Sequence, residues 1–141
     1  MKSIIALLFS LPFISFAQKA VPLALHSKKT FRVSQNETKA FALQLEKGKK
    51  YRIIVEQKGI DVELRLKNAA GTEVAYMDSP NGKYGPEIIE IAVQHATDFT
   101  LSVMPLKDEA NAKKGKCSVV VEESVILNPN DVITTMVCCS P

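Results

Sequence analysis

From residue 18 onward, hydrophobic residues recur at every second position and hardly ever at the spacing of a helix. Phe41, Leu43 and Leu45 alternate with other residues up to a turn at Glu46-Lys47-Gly48-Lys49, and Tyr51, Ile53 and Val55 alternate up to Lys58-Gly59. Ile60, Val62, Leu64 and Leu66 interleave with Asp61, Glu63 and Arg65 before the break at Asn68-Ala69-Ala70-Gly71. Val74 and Tyr76 mark a shorter strand, ended by Asp78-Ser79-Pro80-Asn81-Gly82. Ile89, Ile91 and Val93 follow, then Phe99, Leu101 and Val103 up to Pro105, then Cys117, Val119 and Val121. The segment from Ala24 to Val33, with Leu25, Phe31 and Val33, adds one more. Lys107 to Lys114 is the one helix-like stretch, and its mixed polar composition reads as a loop. Successive side chains of a strand face opposite ways, so each run offers one apolar and one wet face. Two sheets must then pack their apolar faces together, which predicts an all-β antiparallel sandwich of about eight strands.

The first residues follow a different rule. Met1-Lys2 is a short positive start, and Ile4 to Phe16 is a hydrophobic run broken only by Ser10, Pro12 and Ser15. Ser15-Phe16-Ala17 then offers small residues ahead of Gln18. This is the tripartite pattern of a secretory signal peptide over residues 1–17. The run falls short of the ~20 apolar residues that span a bilayer. No cysteine follows it to carry a lipid. The remainder divides into a sandwich domain over residues 18–127 and a weakly patterned tail over 128–141. The expected location is outside the cytoplasm, periplasmic or secreted, with no membrane span after cleavage.

Composition narrows the function classes. Among 141 residues, 18 Lys+Arg stand against 15 Asp+Glu, a net charge of +3 with no concentrated basic face, so nucleic-acid binding is not expected. With 46% hydrophobic residues and 23% charged, the chain can build a core rather than remain disordered. Three cysteines cannot close a disulfide framework among themselves. Cys117 either bridges to Cys138 or Cys139 in an oxidising compartment or is a buried free thiol.

The segment from Lys49 to Glu122 carries a family pattern: KKYRIIVEQKGIDVELRL, then GTEVAYMDSPNGKYGPEIIEI, then DFTLSVMPL, then GKCSVVVEE. This resembles the bacterial pre-peptidase C-terminal domain, in the version found near the start of exported tetratricopeptide-repeat and caspase-like multidomain proteins. The resemblance covers about half the chain. It departs from the family at Thr97-Asp98-Phe99 and Gly115-Lys116-Cys117, where relatives place a Gly-x-Tyr. Phe and Cys keep the position apolar and lose the hydroxyl. The resemblance implies a jelly-roll β-sandwich without catalytic activity, often an accessory to another domain, and some relatives bind calcium.

Catalytic motifs are missing. There is no Gly-x-Ser-x-Gly, no His-Glu-x-x-His and no Gly-rich phosphate loop. His26 and His95, the two imidazoles, stand in no catalytic motif. An enzyme is therefore not expected, and neither is a cofactor other than calcium. Asp78, Asn81 and Glu87, with Asp61 on a neighbouring strand, are the candidate ligand-binding residues. Calcium takes about six to eight oxygens, and the flexible glycines Gly82 and Gly85 could bend a loop to offer them. The same residues also read as a turn, with Asp78 as cap, Asn81-Gly82 as a tight hairpin and Pro86 opening an edge strand. Asp61, on the solvated side of its alternation, reads first as a partner for Arg65 or a turn cap, and only then as a ligand.

Two lysine turns, Lys47-Lys49-Lys50 and Lys113-Lys114-Lys116, would attract an anionic polymer if they met at one end, and otherwise guard sheet edges. Asn36-Glu37-Thr38 is a glycosylation sequon. The functional expectation is an exported, non-catalytic module that binds or positions an extracytoplasmic ligand or partner, such as a larger envelope or secreted protein or an extracellular polymer. The alternative is a purely structural leader domain of a larger protein.

Overall fold

Nine strands account for most of the described residues: β1 (Val21–Pro22), β2 (Lys29–Ser34), β3 (Lys39–Leu45), β4 (Lys49–Lys58), β5 (Val62–Asn68), β6 (Glu73–Met77), β7 (Tyr84–Ala92), β8 (Thr97–Pro105) and β9 (Lys114–Ile126). The computed structural model describes residues 19–95, 97–108 and 112–126. The expected signal peptide, the tail, Cys138 and Cys139 lie outside these. No helix among the described residues is long and apolar enough to cross a membrane.

One sheet has the order β1-β3-β8-β5-β6 and the other β2-β9-β4-β7. Apart from β1, which pairs with β3 in parallel, every neighbour is antiparallel. The pairings β2·β9, β3·β8, β4·β7 and β5·β6 nest inside one another, so the chain is a long hairpin rolled up on itself. That is the topology of a jelly roll.

The core is what the alternation requires. Phe41, Leu43 and Leu45, then Tyr51, Ile53 and Val55, then Val62, Leu64 and Leu66 are buried from both sheets, against Phe99, Leu101, Val103, Val119 and Val121. Burying each such side chain stabilises the fold by roughly 1.5–3 kcal/mol relative to leaving it in water. Tyr51 keeps its hydroxyl satisfied by accepting the Glu46 N–H at 3.0 Å. Phe99 and Cys117 are both buried.

Two strands differ from the pattern. The expected strand from Ala24 breaks at His26, which has a φ of 59°, and regular pairing starts only at Lys29. Leu23 is the buried residue and Leu25 is exposed, because Leu23 N–H donates to Ala42 in one sheet while His26 N–H donates to Val121 in the other. In β6 the register shifts beside Lys67, and this bulge moves the apolar phase by one residue. Ala75 and Met77 therefore pack on the core opposite Leu66 and Leu64, while Tyr76 faces outward over the Arg65 guanidinium, 5.0 Å from its ring centre.

Candidate functional site

The loop between β6 and β7, residues 78–83, is held from beneath by two polar side chains that point into the core. Both occupy inward positions of apolar alternations: Gln57 continues Tyr51, Ile53 and Val55, and Glu87 precedes Ile89. Glu87 is fully buried and Gln57 nearly so.

Gln57 joins three segments. Its side-chain nitrogen donates to Asn81 Oδ1 at 2.8 Å, to the Gly82 carbonyl at 2.6 Å and to Glu87 Oε1 at 3.1 Å. Its side-chain oxygen accepts the Val62 N–H at 2.8 Å, tying the loop to the start of β5. The second carboxylate oxygen of Glu87 accepts from Ser79 twice, from the backbone N–H at 2.9 Å and the hydroxyl at 2.8 Å. Asn81 closes the circuit by donating to the Pro86 carbonyl at 2.9 Å. Gly85, with a φ of 102° and Asn81 packed 3.3 Å from where a Cβ would lie, lets the chain turn there.

Asp61 stands beside this network. It is not on a solvated face, as its alternation suggested, because Ile60 plugs the core ahead of it and one of its oxygens is buried. Nor does it pair with Arg65, which binds Glu63 and Glu73 at 3.1 Å each. Burial raises the Asp61 carboxyl above its usual range, and Asp78 and Asp108 push it the same way. Burial also raises Glu87, with Asp78 and Asp61 adding to the effect and the two Ser79 hydrogen bonds opposing it. The four sequence candidates, Asp61, Asp78, Asn81 and Glu87, thus gather at one end of the sandwich. Gln57, which ties them together, went unrecognised in the sequence. Its signal was a polar residue in phase with apolar neighbours.

Two of the four candidates offer no unengaged side-chain oxygen in this arrangement. The oxygens of Glu87 and the Asn81 side chain are engaged by protons of the chain itself. Among the described residues, no group of three or more His, Cys, Asp or Glu is arranged to hold a metal.

The two lysine turns do not meet. Lys49 at the start of β4 pairs with Ile126, whereas Lys58 at its end pairs with Lys116. They therefore stand at opposite ends of one strand, roughly 30 Å apart at the usual rise per residue. Lys49 is clasped by Glu46 and Glu123 at 3.0 Å each, and Lys50 by Glu90 at 3.3 Å. Lys47, Lys113, Lys114 and Lys116 are exposed. His26 and His95 are both exposed as well. Cys117 is buried and bridges to no cysteine among the described residues.

No protein-family model matches the chain, and no curated protein does. Solved structures do. The pre-peptidase C-terminal domain of a collagenase from Bacillus anthracis superposes with a TM-score of 0.56 at 17% identity, covering 74% of this chain and 95% of that one. The chain has the fold of a pre-peptidase C-terminal domain. PliG of Aeromonas hydrophila, a periplasmic inhibitor of g-type lysozyme, superposes with a TM-score of 0.59 at 10% identity, covering 74% of this chain and 96% of that one. At such identities the likeness is one of architecture, so the surface of this sandwich must be read from its own residues.

Proposed function

We propose that this protein is a non-catalytic β-sandwich that acts outside the cytoplasm, binding or positioning a partner through the end that carries residues 78–83. One observation carries the reading. The two polar side chains buried in the core, Gln57 and Glu87, are both committed to holding that loop in a single shape. Burying a carboxylate is costly, and a hairpin connection does not need one. A loop fixed in advance loses less entropy on binding, which is what a recognition surface gains from such a network. The secretory start of the sequence supports the location. The lack of a known catalytic motif in the sequence supports a role in binding rather than chemistry. PliG, a protein of the same architecture that inhibits a lysozyme, offers a precedent for a protein partner.

The test is photo-crosslinking in cells that export the protein. A crosslinking amino acid at exposed Pro80 should give a discrete adduct that disappears when Glu87→Ala releases the loop. The same probe at Lys47, at the other end, should give none. Adducts from both ends alike, or from neither, would overturn the reading.

A further inference from the structure

We infer that the outer face of the four-stranded sheet is a binding surface for an acidic polysaccharide, centred on Arg32, Lys58, Lys116 and Tyr84. This rests on the extracytoplasmic setting proposed above but uses a different surface from the loop.

The row is set by register. Arg32 of β2 lies opposite Lys116 of β9, Lys116 opposite Lys58 of β4, and Lys58 opposite Tyr84 of β7. Directly paired residues project from the same face of a sheet, so the four side chains form one line across all four strands. Their inward-facing neighbours Val33, Gln57 and Cys117 are buried, which fixes this line on the solvent side. All four are exposed, Tyr84 at 64%.

These cations are unlike those at the far end of the same sheet. There Lys50 and Arg52 share Glu90, and Lys49 lies between Glu46 and Glu123. Arg32, Lys58 and Lys116 make no ion pair among the described residues. Glu56, the acid nearest in register, stands in the next row beside Ser118 and makes none either. Like charges directly opposite one another on neighbouring strands repel. An anionic partner laid along the row would relieve that repulsion.

The shape selects the partner. A groove of about 350 Å³ lies on this face, lined by the cations Lys28, Lys58 and Lys116, by Tyr84, Thr30 and Ser118, and by one acid, Glu56. Four strands give a row roughly 14 Å long, with about one strand spacing between successive cations. A compact anion such as phosphate needs donors that converge on a point, and these stand in a line. An extended polymer with recurring negative charge fits a line. Tyr84 ends the row with an unobstructed ring, a platform for the apolar face of a sugar, which an acidic peptide would not use. Thr30 and Ser118 offer hydroxyls for the sugar oxygens.

Calorimetric titration of the purified protein with sodium polygalacturonate tests this, with neutral dextran and polyglutamate as comparisons. Polygalacturonate should bind and dextran should not. Lys58→Ala/Lys116→Ala should weaken binding by roughly tenfold, as expected for two exposed charge contacts. Tyr84→Ala should weaken polygalacturonate without altering polyglutamate. Lys50→Ala/Arg52→Ala, at the ion-paired end, should change neither. Absence of polygalacturonate binding would overturn the inference, as would equal binding by the Lys58/Lys116 variant. Polyglutamate binding as tight as polygalacturonate, with Tyr84→Ala silent on both, would assign the row to an acidic protein instead and overturn it too. The Pro80 crosslink should persist in the Lys58/Lys116 variant, so loss of the polysaccharide reading leaves the loop reading to stand or fall by itself.

Discussion

Gln57 and Glu87 meet inside the sandwich at 3.1 Å, and they are the two polar side chains buried among the described core residues. Neither is self-sufficient. Without Gln57, the Val62 N–H, one Glu87 oxygen and Asn81 Oδ1 all lose their partner. Leaving buried groups unsatisfied costs more than a hydrogen bond contributes, so Gln57→Ala should destabilise by roughly 2–4 kcal/mol. Replacing both residues, as in Gln57→Leu/Glu87→Leu, should cost less than the two single changes added together. Urea denaturation of the four proteins measures this. Additive effects would mean that the two side chains act separately.

Glu87 and Asp61 should make stability fall as pH rises through their range. Both carboxyls are raised by burial first and by neighbouring carboxylates second. The folded state therefore holds these protons more tightly than the unfolded chain does. Their favourable contribution is complete below the unfolded carboxylate range, about pH 4, and is lost as pH rises through the raised folded values. Glu87→Gln removes the titrating group, although its amide cannot accept hydrogen bonds on both sides as the carboxylate does. Wild type should gain stability relative to Glu87→Gln as pH is lowered from about 7 to 4.5. Urea midpoints for the pair across that window decide it, and a widening in wild type's favour at the alkaline end would contradict the sign.

The parts of this fold that follow a period-two rule are legible from sequence, and the departures are where the rule has a local exception. Phe41-Leu43-Leu45 and Phe99-Leu101-Val103 pair as facing core rows because nothing disturbs their alternation. Val74 packs on the core as expected, but Tyr76 misleads because a bulge beside Lys67 shifts the phase, and a bulge leaves no mark in a single strand's pattern. Asp61, Asp78, Asn81 and Glu87 could be picked out by type, as oxygen-bearing side chains around a Gly-rich turn, although Asp and Asn are also ordinary turn residues. Gln57 showed only as a polar residue in phase with apolar neighbours, and its role was hidden because it supports the loop from a strand 24 residues away from Asn81. The row Arg32-Lys116-Lys58 is invisible for the same reason. It exists only once β2, β9 and β4 are in register, and pairing across such sequence distance is set by the rolled hairpin as a whole.

Gly115 should not tolerate a methyl group. A Cβ there would lie 2.3 Å from Ile60 Cγ2 and 2.9 Å from the Ile60 backbone nitrogen. The side chain of Ile60 is fully buried and the backbone cannot retreat without moving the β4–β5 turn. Gly115→Ala should therefore destabilise by about 1–3 kcal/mol, the usual cost of overpacking. Thermal melting of the two proteins checks this, and a change within about 0.5 kcal/mol would mean that the approach of β9 to Ile60 is looser than described.

Cys117 should report on opening of the sandwich at the polysaccharide end. It lies on β9 between Lys116 and Ser118, directly opposite Gln57 of β4, with 1% of its surface exposed. Burial pushes its thiol up to about 11, against a small opposing effect of a backbone hydrogen bond from Lys58. At neutral pH it is therefore both protonated and out of reach, the two conditions that make a cysteine inert. In a Cys138→Ser/Cys139→Ser protein, which leaves Cys117 as the one thiol, a disulfide reagent should label it only through unfolding. The labelling rate should then rise with urea in step with the global transition. Labelling at the rate of an unhindered thiol without urea would show that β4 and β9 part at this end in the native state. The row of cations would then be a transient feature instead of a fixed surface.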